Sequence, residues 1–178
     1  MSTERSEVRR AQAPLRKRYA ENPEPAFITD TARTTGTGLP DPFHGTVIPG
    51  RGHGEKWSYG VHRAVGGPYD APVPGDILCS ALATCMESTI RMIADRLSVE
   101  LQSLEVSVSA DVDVRGTLAV DPDVPVGFQS MRCEVEMEPV GDVDAELLQK
   151  VFRGAERSCV VLQTLRSGVD VDATLSTE

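Results

Sequence analysis

The chain has 178 residues, a net charge of −9, and 40% hydrophobic residues of which few are aromatic. That length builds one ordinary domain with an aliphatic core, and the acidic balance argues against nucleic acid or an anionic membrane as a partner. No stretch reaches the ~20 apolar residues of a membrane span, so the expected location is the cytoplasm.

Six of the basic residues fall within residues 1–18, beside only Glu4 and Glu7. That segment reads as a solvated helix packing on the body or as a tail for an acidic partner. It ends near Asn22-Pro23, and Pro23 and Pro25 mark a linker, so residues 1–25 are an extension and 26–178 the main domain. Residues 26–35, rich in β-branched side chains, predict a strand closed by Gly36-Thr37-Gly38. Residues 45–48 and 55–65 predict two more, separated by a Gly-rich turn over 49–54. Residues 66–75 form a loop leading to the most prominent element of the chain.

That element runs from Pro74 to Leu97 and predicts one amphipathic helix. Leu78, Leu82, Cys85, Met86, Thr89, Ile90, Ile93 and Leu97 recur at helical spacing, and Asp76 is placed to cap the first turn. Small residues (Ser80, Ala81, Ala83, Thr84) surround Cys85, leaving room for a close approach. Residues 101–114 then alternate apolar and polar side chains as a half-buried strand, and 128–138 repeat the pattern with Cys133 on the inward face. Asp144 caps a second helix through Leu147, Val151, Ala155, Cys159, Leu162 and Leu165, with Gly168 as its stop. Val169, Val171, Ala173 and Leu175 predict a last strand.

Hairpins flanked by two helices give an α+β fold with largely antiparallel sheet. Both helices are apolar over wide stripes and need covering on more than one side, which a second subunit supplies. Four cysteines (Cys79, Cys85, Cys133 and Cys159) without a CxxC pair make no secreted disulfide scaffold. His44, His53 and His62 lack the companions of a zinc site, and no flavin or nicotinamide motif is present, so no cofactor is expected. Spacing alone leaves Cys85 and Cys159 open to two readings. Both are core thiols, or the two helices cross and bring the sulfurs together for disulfide chemistry.

The segment ALATCMESTI (81–90) resembles the cysteine helix of the OsmC/Ohr family of thiol-dependent hydroperoxide reductases. AERSCVVLQTL (155–165) is similar to that family's second cysteine helix, and VDVRGTLAVDPDVPVGFQSMRCEVEM (112–137) to the hairpin between them. The resemblance implies an OsmC-like fold, with antiparallel sheets wrapped around two central cysteine-bearing helices in an intertwined homodimer with shared active sites. It implies a peroxidase acting on organic hydroperoxides and recycled by an external dithiol reductant. Cys85 would be the peroxidatic thiol and Cys159 the resolving one. YGVHRA (59–64) resembles the stretch that carries the family's thiolate-stabilising arginine, which makes Arg63 the candidate. Pro74-Gly75-Asp76 stands where the family carries Pro-Glu or Pro-x-Glu, so Asp76 is either the catalytic acid or only a helix cap. Two other readings of the same resemblance are a non-catalytic scaffold or ligand-binding protein and a thiol redox sensor.

Overall fold

The computed structural model describes residues 6–34, 40–51 and 55–176. The Gly36-Thr37-Gly38 strand stop, His53 and part of the 49–54 turn lie outside them. The structure falls into two compact units, one within residues 1–8, 81–107 and 135–178, the other within 9–80 and 108–134.

Helix α1 (Glu7–Glu21) buries none of its side chains, as its charge density requires. Its start is tied down from elsewhere in the chain. The Asp95 carboxylate accepts from the buried Ser6 hydroxyl and, at 3.0 Å, from the Val8 backbone N–H. A remote aspartate thus does the work of an N-cap for a donor the helix cannot satisfy internally.

Strands β1 (Ala32–Thr34), β2 (Gly45–Pro49) and β3 (Trp57–Tyr59) form an antiparallel sheet in that order. The outer strands are shorter than the sequence predicts. Residues 24–26 form a 3₁₀ turn, and Phe27 and Ile28 are exposed and outside the sheet. On the other side the chain leaves the sheet after Tyr59, and Arg63–Val65 is a second 3₁₀ turn. Central β2 has five residues, so neither neighbour finds partners for a longer ladder.

Helix α2 (Pro74–Leu97) has the bounds the sequence predicts. Val73 sits just before it and donates its N–H to the Asp76 carboxylate at 3.0 Å, so Asp76 reaches back from the third helical position. Leu82, Met86, Thr89, Ile90 and Ala94 are its buried residues. Leu97, expected on that stripe, is exposed, and Val99 is buried instead. Contrary to the sequence expectation, α2 is long and apolar enough to cross a membrane by length and composition. Between Asp76 and Glu87 it carries no charge, which leaves a long uncharged stretch. The buried stripe and the Asp95 contacts are those of a core helix, and core helices meet the same criterion.

Strands β4 (Leu101–Asp111) and β5 (Ser130–Pro139) pair in a second sheet. Gln129 N–H donates to Asp111 C=O and Val140 N–H to Glu100 C=O, the signature of an antiparallel hairpin. Apolar and polar positions alternate strictly along β5, and the inward set, Cys133 included, is half-buried. The helical turn α3 (Val114–Thr117) begins the connection. Asp113 caps it and holds Arg115, whose guanidinium also reaches Asp121 at 3.3 Å. A Cβ on Gly116 would lie 2.6 Å from the Val124 carbonyl oxygen, so Asp113, Arg115 and Gly116 together scaffold this connection.

The second predicted helix is two. Helix α4 (Ala145–Ser158), capped by Asp144 as expected, stops at Cys159, and α5 (Val160–Ser167) starts after it. Cys159 itself is extended, with φ −74° and ψ 108°. Apolar spacing runs unbroken through the junction, which is why periodicity misses it. The final predicted strand is absent as well. Residues 168–176 carry no regular structure, and Val169, Val171 and Leu175 are exposed, with no strand among the described residues paired to them.

Candidate functional site

The core of the first unit brings two cysteines together. Val151, Ala155 and Cys159 follow one another at four-residue intervals on α4 and its end, and all three are fully buried. They face α2, where a Cβ on Gly154 would come within 3.1 Å of the Ile93 Cδ1. Glycine there lets the helices approach closely, and one to two turns further along Cys85 and Cys159 meet. They lie near enough for Cys85 to help raise the pKa of the Cys159 thiol. No disulfide joins them.

The two sulfurs are in different situations. Cys85 is half-buried, and its backbone carbonyl accepts from the Thr89 hydroxyl at 2.6 Å and the Ser88 hydroxyl at 3.1 Å. Cys159 is sealed. Its Sγ accepts from the Leu162 N–H at 3.4 Å, capping α5. Burial, and after it the neighbouring Cys85 thiol, pushes Cys159 up to about 11, against the pull of the Leu162 N–H. Cys159 is therefore a protonated thiol at neutral pH, and Cys85 is the more accessible sulfur of the two.

Arg63 and Asp76 belong to the other unit. Arg63 is exposed in the 3₁₀ turn that packs beside α3, and its guanidinium lies 5.7 Å from the centre of the Tyr69 ring. Tyr69 also stacks obliquely on His62 at 4.4 Å and holds a left-handed backbone, φ 57°. The Asp76 carboxylate is occupied with the Val73 N–H. Next to it, a Cβ on Gly75 would meet the Phe128 ring at 3.0 Å. The glycine that precedes Asp76 is thus explained by a ring laid on the first turn of α2. Cys79, one turn on, is pushed up by burial and then by the Asp76 charge, which disfavours its thiolate.

One constellation escaped the sequence reading. His44 is held by two carboxylates, Asp41 at 2.7 Å on Nδ1 and Asp70 at 2.9 Å on Nε2. Both contacts raise the His44 pKa, that to Asp70 more. Asp41 is three residues away, but nothing in sequence links Asp70 to this ring. Among the described residues no three His, Cys, Asp or Glu side chains form a group able to hold a metal ion.

Residues 67–174 match the family model described as OsmC-like protein. The fold is shared with an OsmC-like protein from Mycoplasma pneumoniae (TM-score 0.63, 13% identity, 79% of this chain and 89% of that one). It is shared as well with an organic hydroperoxide resistance protein from Elizabethkingia anophelis (0.58, 15%, 80% and 91%). A third is an organic hydroperoxide resistance protein from Legionella pneumophila (0.53, 19%, 81% and 93%). No curated protein matches the chain.

Proposed function

The chain belongs to the OsmC-like protein family, and from that premise we propose that it is a thiol-dependent peroxidase for organic hydroperoxides. The observation that carries the proposal is the neighbouring pair of Cys85 and Cys159, one partly exposed and one buried as a high-pKa thiol. The Cys85 thiolate attacks the outer peroxide oxygen. The O–O bond breaks, Cys85 becomes a sulfenic acid, and the alkoxide leaves as an alcohol after taking a proton from solvent. The Cys159 thiol condenses with the sulfenic acid, forming the disulfide and releasing water. An external dithiol reduces that disulfide, is itself oxidised, and restores both thiols.

Arg63 is our candidate for stabilising the Cys85 thiolate and Asp76 for orienting that arginine. The apolar residues Leu82 and Met86 beside Cys85 on α2 favour an organic peroxide over hydrogen peroxide. The proposed assembly is a cytoplasmic homodimer built from residues 26–178, with 1–25 as an extension. The half-buried apolar faces of β4 and β5 and the exposed Val169, Val171 and Leu175 are the surfaces a second copy would cover. A second reading, a non-catalytic OsmC-like scaffold, is favoured by the engagement of the Asp76 carboxylate as a cap.

Consumption of cumene hydroperoxide with a dithiol reductant separates the readings. The peroxidase predicts turnover by the wild type, none by Cys85→Ser, and a Cys159→Ser variant that reacts once and stalls. Turnover that survives Cys85→Ser sinks the mechanism, and an inert wild type supports the scaffold.

A further inference from the structure

The β1–β2–β3 sheet carries a cleft of about 640 Å³, lined by Thr31, Ala32, Arg33, Ile48, Gly50, Arg51 and Lys56. We infer that this cleft binds a small multivalent oxyanion, a phosphoryl compound or a polycarboxylate. The inference starts from strand register. Arg33 stands opposite Ile48 on one side of β2, and on the other side Lys56 directly precedes Trp57, the partner of Val47. Residues directly opposite in an antiparallel ladder share a face. Arg33 on β1 and Lys56, the residue just before β3, thus flank Ile48 on either side of β2, roughly 10 Å apart at the backbone.

The third cation is brought in by a turn. Gly50, at φ 71°, donates its N–H to the Thr31 carbonyl and swings Arg51 to the same cleft. Ile48, 9% exposed, forms a dry floor beneath the charges. No carboxylate lines the cleft, and none of the three cations is ion-paired with a described residue. Acids outnumber bases 27 to 18 over the whole chain, so a cleft lined by three cations and no acid stands out. Held apart without a counter-charge, the three repel one another, and a ligand with several anionic oxygens relieves that repulsion. Two guanidiniums supply forked donors suited to phosphate or carboxylate, and Lys56 adds a point charge. The volume suits a small metabolite and no polymer.

Calorimetric titration of the full chain at constant ionic strength tests this, with inorganic pyrophosphate and citrate as probes and chloride as background. Saturable binding is expected, weakened about 10-fold or more in an Arg33→Ala/Arg51→Ala double variant, as the loss of charge-assisted hydrogen bonds implies. Lys56→Glu provides a second, single-site variant with the same expected direction. Binding of pyrophosphate alone assigns the cleft to phosphoryl compounds, and binding of citrate alone assigns it to carboxylates. No saturable binding above the chloride background, or affinities unchanged in both variants, overturns the inference.

Discussion

The Cys159 sulfur accepts the Leu162 N–H at 3.4 Å, so the buried thiol of the pair is also the cap of a helix. Its partner Cys85 sits mid-helix on α2, half-exposed. The two halves of one proposed redox centre therefore differ in access and in what the backbone asks of them.

That asymmetry predicts the order of thiol modification. With native protein at pH 8, iodoacetamide should label Cys85 well before Cys159, because the Cys159 thiol, at about 11, carries almost no thiolate there. Peptide mass spectrometry over a time course reads the order. Equal rates at the two sites would show that Cys159 is neither sealed nor protonated.

Helix contact at Gly154 sets how near the thiols lie. Gly154→Val drives added carbons into Ile93, where even a Cβ would approach to 3.1 Å. The expected cost is about 1–3 kcal/mol from overpacking. Disulfide formation after one equivalent of peroxide should slow with it, while Cys85 still oxidises. A variant that forms the disulfide at the wild-type rate would remove Gly154 from the positioning of the pair.

Asp95→Ala should release the start of α1. It removes the acceptor for both Ser6 and Val8, which costs about 1 kcal/mol, the usual worth of a cap. Hydrogen exchange should rise at Val8 and through the first turn of α1. Unchanged protection there would mean that the helix start is held by something other than Asp95.

The His44 clamp makes stability depend on pH. A histidine donating from both nitrogens to Asp70 and Asp41 is the protonated form, and its pKa is raised in the folded chain. Its contribution is therefore full below the ordinary value near 6.5 and fades as pH climbs through the raised one. The two carboxylates are lowered, so their part is lost only in acid. The difference in Tm between wild type and His44→Gln should be larger at pH 5.5 than at pH 8.5. A difference that does not change, or grows with pH, contradicts the clamp.

Much of this molecule was legible before its structure. The bounds of α2, the Asp144 cap and the β4–β5 alternation follow from local chemistry, which the sequence states directly. What escaped depends on distant or missing partners. The strand expected over 26–35 needs a ladder longer than β2 offers, and the one over 169–175 needs a neighbour that the described residues do not supply. The break at Cys159 is hidden because Val151, Ala155, Cys159 and Leu162 keep helical spacing across it. The consecutive β-branched Val160 and Val161, poor helix formers, were the available hint. Asp76 and Gly75 were read against a family pattern, and their contacts with Val73 and Phe128 add a packing reason that no pattern states.

The junction at Cys159 ties chemistry to mechanics. A thiolate is a good acceptor for the Leu162 amide, a thiol a weaker one, and a sulfur shared in a disulfide weaker still. Under the proposed chemistry, each redox state of that atom would hold the first turn of α5 with a different strength. If the proposed disulfide forms, it would loosen the very turn that a thiolate would tighten, and the helix end would gauge the sulfur it is built upon.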